Sequence, residues 1–142
     1  MKLNIISKPT ALALKKLGFD YKCDNWYRVS SDYPELYGRN AKRGGLVPPI
    51  KSNIATAVAP TQSLVCKWLR DVHGIYIMTK PEQIVTGTVI YKVGVYIQDP
   101  TEEFGIRRHT LITGQETFEQ AEEAGIIKAL EILKESNHGK EL

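Results

Sequence analysis

The sequence predicts an α+β fold: an antiparallel sheet of three or four strands with helices packed on one face. Three observations lead there. Residues 89–98 have the period of a strand, with Val89, Tyr91, Val93, Val95 and Ile97 on one side and Ile90, Lys92, Gly94, Tyr96 and Gln98 on the other. Two segments, one around Trp68 and one around Ala129, repeat their apolar residues at helical spacing. Between the strand and the second of these helices lies a turn-rich stretch, 99–105, and a further strand-like run, so the pair reads as a hairpin.

A chain of 142 residues is long enough to bury a core without disulfides or metals, and reads as a single domain over 1–142. Its 42% apolar and 25% charged residues exclude a wholly disordered or fibrous chain. No apolar run approaches the roughly 20 residues of a membrane helix, so no membrane partner is expected. Met1 to Pro9 has no apolar stretch of signal-peptide length. Cys23 and Cys66 stand far apart, and two free, packed thiols imply a reducing, cytoplasmic location.

In chain order, Thr10 to Leu17 is the first helix, with Pro9 at its start and Gly18 as its stop. Tyr21 to Val29 reads as an edge or partly covered strand, because Asn25 interrupts its apolar side. Residues 30–59 have no sustained period and several Pro and Gly. They are expected to be a long irregular, mobile segment with a short strand or turn at Ile54 to Val58. Leu64, Val65, Trp68, Leu69 and Val72 then define a helix over 61–73, with Thr61 as cap and Gly74 as stop. Ile75 to Met78 is a short strand, and Ile106 to Thr113 is the return strand of the hairpin. The last helix, 117–135, opens on Thr117-Phe118-Glu119-Gln120, a capping-box pattern. Phe118, Ala121, Gly125, Ala129, Ile132 and Leu133 share one side, and the small residues among them let the backbone approach a sheet. The tail from Ser136 is expected to fray.

Chemistry-bearing patterns are scarce. Cys23, Cys66, His73, His109 and His138 show no finger-like spacing, so no metal ligand set is assigned. Cys66 and His109 are the candidates for a nucleophile and a base, but nothing in the sequence joins them, and Cys66 reads as a packing residue. Glu102 and Glu103 are neighbours in a turn, where acids are ordinarily solvated. Gly44-Gly45 follows Lys42-Arg43, whereas a phosphate loop needs its lysine after the glycines. No catalytic residue and no cofactor is therefore assigned.

Charge is divided unevenly. Residues 1–72 carry twelve Lys/Arg and five Asp/Glu, and residues 73–142 carry seven and eleven, so a net +7 meets a net −4. Within the basic half Tyr33, Tyr37, Arg39, Lys42, Arg43 and Lys51 mix aromatic rings with cations, a combination suited to single-stranded nucleic acid. Lys67 and Arg70, on the polar side of the Trp68 helix, extend that set. Arg107, Arg108 and His109 form a second basic cluster, for which protection of an exposed strand is a sufficient reason.

The stretches ALALKKLGFDYKCDNWY (11–27), APTQSLVCKWLRDVHGIYI (59–77) and TFEQAEEAGIIKALEILKE (117–135) resemble a group of small uncharacterised proteins encoded by phages and prophages of Bacteroides-type bacteria. That resemblance implies a phage-linked accessory role and brings no catalytic residue with it. From residue 60 the order helix, three strands, helix is also similar to the double-stranded RNA-binding domain. Where that domain places lysines, at the start of its last helix, this chain has Glu119, Glu122 and Glu123, which repel phosphate.

The expectation is a non-enzymatic binding or accessory module with a protein or nucleic-acid partner, or a homodimer. The sheet face with Lys92, Tyr96 and Gln98 would lie open to solvent or to a second copy. The alternative is nucleic-acid binding through the basic first half.

Overall fold

The computed structural model describes residues 4–29, 36–38, 56–83 and 87–140. Internal contacts gather into two compact units, Met1–Thr61 and Gln62–Leu142. The described residues hold two three-stranded antiparallel sheets and three helices, an α+β fold.

The first unit opens with α1 (Lys8–Lys16), entered through a proline in its first turn and followed by Gly18 at φ +85°. Three short strands follow: β1 (Asn25–Arg28), β2 (Leu36–Gly38) and β3 (Thr56–Val58), in the spatial order β2-β1-β3. The strand expected over 21–29 is thus shorter, and it is the central strand rather than an edge. The physical reason lies on its two sides: Trp26 and Tyr27 point to opposite faces, and both are buried, as is Asn25. Its partners come from 30–59, where three-residue strands are too short to establish a period. The strand expected at 54–58 corresponds to β3; residues 30–35 and 39–55 lie outside the described residues. Ile6 N–H donates to the Pro60 carbonyl at 3.1 Å, and the buried Tyr27 hydroxyl donates to the Ile6 carbonyl at 2.7 Å. Those two bonds tie the entry of α1 to the sheet. Ile6, Ala11, Leu14 and Ala57 close the small core.

The second unit runs α2 (Gln62–His73), β4 (Ile75–Gln83), β5 (Val89–Gln98), β6 (Ile106–Gln115) and α3 (Phe118–Lys140). Its sheet has the order β4-β5-β6; α3 crosses all three strands and α2 packs on β4 and α3. Val65, Trp68 and Leu69 of α2 meet a core that includes Ile75, Val93, Val95, Ala121, Ile126, Ala129 and Leu130. The capping pattern at α3 is realised in part: Thr117 Oγ1 accepts from the Gln120 N–H at 3.1 Å.

Three boundaries and one helix face of this unit differ from expectation, the smallest being β6, which ends at Gln115 and not Thr113. β4 runs five residues beyond Met78, through Pro81, because it is an edge strand and a proline there removes no ladder bond on its open side. The buried side of α3 turns toward Ile126 and Leu130, and Phe118 stays 40% exposed, its ring edge-on to Tyr91 at 6.1 Å. The helix itself continues to Lys140, past the point where fraying was expected. No helix among the described residues is long and apolar enough to cross a membrane.

Candidate functional site

Of the seven residues singled out for nucleic-acid contact, Tyr37, Lys67 and Arg70 are among the described residues. Tyr37 lies on β2, its ring stacked on Trp26 (centroids 6.3 Å, planes 20° apart) with the Arg28 guanidinium 4.9 Å from its centroid. Lys67 and Arg70 are exposed on α2 and both pair with Asp71, Arg70 at 3.4 Å. The Lys67 hydrogen bond, above all, holds the Asp71 carboxyl below its usual range. Arg39, Lys42, Arg43 and Lys51 lie outside the described residues.

Cys66 and Cys23 are free thiols. Burial, and then the Glu122 carboxylate, pushes the Cys66 thiol up to about 12, and burial pushes Cys23 to about 11. Both are fully protonated near neutrality, the opposite of what a nucleophile needs. His109 is exposed on β6, with Nδ1 2.6 Å from Thr110 Oγ1. Among the described residues no group of three or more His, Cys, Asp and Glu is placed to hold a metal ion.

The seam between α2 and α3 gathers acids. Gln62 Nε2 donates to the Glu119 carbonyl at 3.0 Å and to Glu123 Oε2 at 3.2 Å. Burial, with Glu119 and Glu123 nearby, raises the Glu122 carboxyl above its ordinary value. A folded-state carboxyl that holds its proton longer than the unfolded one loses stability as pH rises through that interval. Glu122→Gln is therefore expected to raise the urea midpoint at neutral pH. The gain should shrink to nothing as pH falls to about 4, where the ordinary carboxylate also protonates.

The larger exposed arrangement is the side of the β4–β5–β6 sheet away from the helices. Gly125 of α3 sits against the Val93 and Ile77 side chains, which fixes the helix-covered face as theirs. Residues one position on, Met78 and Gly94, belong to the other face. Pairing aligns that face in rows: Tyr76, Tyr96 and Arg108; Met78, Gly94 and Leu111; Lys80 and Lys92. Met78 and Leu111 are each 43% exposed. Lys80 and Arg108 are exposed and Lys92 half-exposed, and none of the three has an ion-pair partner among the described residues. Glu82, opposite Ile90, is the acid of this face among the described residues, where three cations meet one carboxylate.

Gly94 shapes the centre of the face. A Cβ placed there would stand 2.6 Å from Tyr96 Cε2 and 3.1 Å from its Cζ and Oη, so the Tyr96 ring lies down over the glycine. Sequence reasoning placed Lys92, Tyr96 and Gln98 on this face but missed Tyr76 and Lys80. The signal was the alternation Tyr76, Met78, Lys80, Glu82, which Pro81 obscured.

The turn after β5 is tied down: Asp99 Oδ1 accepts from Thr101 N–H at 3.0 Å and Oγ1 at 2.6 Å, and Oδ2 faces Arg107 at 3.4 Å. Phe104, 84% exposed, and the exposed Glu102 and Glu103 stand on this turn. Compared with protein-family models, curated proteins and solved structures, the chain matches none.

Proposed function

We propose that this chain is a non-enzymatic binding module for nucleic acid that works through the open face of the β4–β5–β6 sheet. The role would be accessory, of the kind the phage-encoded likeness implies. One observation carries the reading: Lys80 and Lys92 stand directly opposite each other, and among the described residues no acid is paired to either. Like charges directly opposite each other destabilise a sheet. A polyanion across the face converts the repulsion into attraction and releases counterions.

The element order of the second unit also supports a nucleic-acid role, since it is that of the double-stranded RNA-binding domain. The binding surface differs from that domain's. Glu119, Glu122 and Glu123 occupy the start of α3, so phosphate is repelled there and the sheet is left as the basic surface.

The test is the salt dependence of binding. Wild-type affinity for a labelled oligonucleotide should fall linearly with salt on logarithmic axes. Replacing Lys80, Lys92 and Arg108 by alanine should flatten that slope by about 2, from roughly 0.7 per single-strand phosphate contact. Lys67→Ala and Arg70→Ala, whose cations already face Asp71, should leave it nearly unchanged. A slope that responds to Arg39, Lys42 and Arg43 instead would move the interface to the basic first half and end this reading.

A further inference from the structure

Resting on that reading of the same face, we infer that the ligand is a single strand of nucleic acid, with an unpaired base seated on the Tyr96 ring. A face that neutralised phosphate alone could be wholly charged. Here the cations bracket an apolar centre: Lys80 and Lys92 on one side, Arg108 beside Tyr96 on the other, and exposed Met78 between them. In a duplex the bases are stacked inward and offer such a centre nothing. In a single strand they splay out onto aromatic and apolar surfaces while the backbone follows the cations.

The spacing suits that division. Lys92 and Tyr96 lie on one strand four residues apart, roughly 13 Å at 3.3–3.4 Å per residue, so a phosphate at the lysine leaves room for nucleotides reaching the ring. Gly94 makes the seat possible, because any side chain there would collide with the ring where it now lies. Among the described residues, three cations against the carboxylate of Glu82 match a polyanion better than a second copy of the same basic face.

The experiment is fluorescence anisotropy on the full chain at low salt. The probes are labelled oligothymidylate and oligouridylate and a labelled mixed-sequence duplex of equal length. The expected result is binding of either single strand roughly tenfold or more tighter than the duplex. Tyr96→Ala should weaken it roughly tenfold or more and Tyr96→Phe, which keeps the ring, should restore it. Gly94→Val, which displaces the ring without touching a cation, should weaken it as well. Equal binding of duplex and strand, or strand binding indifferent to Tyr96→Ala, overturns the inference and leaves the nucleic-acid reading in place. Absence of binding to every probe overturns both. So does a dimer in sedimentation that Leu111→Asp dissociates, accompanied by no oligonucleotide binding, which would assign the face to a second copy.

Discussion

Trp68→Ala should cost the protein about 3–5 kcal/mol, the loss that follows removal of a fully packed indole. Trp68 is 2% exposed, and the His73 ring meets it edge-on with centroids 4.6 Å apart. Its neighbours cannot close the gap cheaply. Val65 and Leu69 lie on the same helix, and their positions are set by the backbone that carries Trp68. A domain of ordinary stability has only about 5–15 kcal/mol in total, so a fifth or more would be lost. Chemical denaturation followed by far-ultraviolet circular dichroism reads the effect as a lower midpoint at unchanged slope. Trp68→Phe, which keeps an aromatic ring in the site, should lose much less. A Trp68→Ala midpoint within error of wild type would show that this residue does not hold the α2 core together.

The second large effect is expected at Gly125, where two physical tendencies oppose each other. An alanine in the middle of α3 gains about 0.8–1 kcal/mol of helix propensity over glycine. Its Cβ would stand 2.7 Å from Val93 Cγ2 and 3.0 Å from Ile77 Cγ2, closer than packed carbons tolerate. Val93 is fully buried and β-branched, so it has neither space nor a spare rotamer to yield. Overpacking of this kind costs about 1–3 kcal/mol, and it wins: Gly125→Ala should be net destabilising by about 1 kcal/mol. Gly125→Leu, with three more carbons to place between helix and sheet, should lose about 3 kcal/mol or more. The same denaturation series measures both. A stabilised alanine variant would mean that α3 can lift from the sheet at little cost.

Gly125 also marks how far the sequence could be read. The small residues at 121, 125 and 129 on one side of an amphipathic segment already pointed to a helix lying close to a sheet. Val93 and Val95, on the regular side of 89–98, likewise pointed to the buried face. Those features are local and periodic, and a period survives whatever the rest of the chain does. The strands of the first unit were not legible in the same way. β2 and β3 are three residues each, less than two full repeats of a strand pattern, and their pairing with β1 depends on residues far along the chain. β1 looked like an edge because Asn25 broke its apolar side, yet Asn25 is 4% exposed.

The candidate site divides along the same line. Its lysine and tyrosine on β5 were visible from alternation, and their openness followed from having helices on one face. The cross-strand partners were not visible, because register is a tertiary quantity: β4 places Lys80 against Lys92 and Tyr76 against Tyr96, and β6 brings Arg108 alongside only after a register shift between Val95 and Tyr96. Tyr37 was visible by composition alone, and only the fold showed Trp26 and Arg28 beside its ring.

By itself, then, the sequence determined the α+β class, the two long helices and the hairpin, since each follows from periodicity and capping within a short window. Only the tertiary structure decided that the described residues form two three-stranded sheets, and that the open face of the second aligns three cations around a reclining tyrosine. Such an alignment arises from which residues stand opposite each other, and no single strand carries that information.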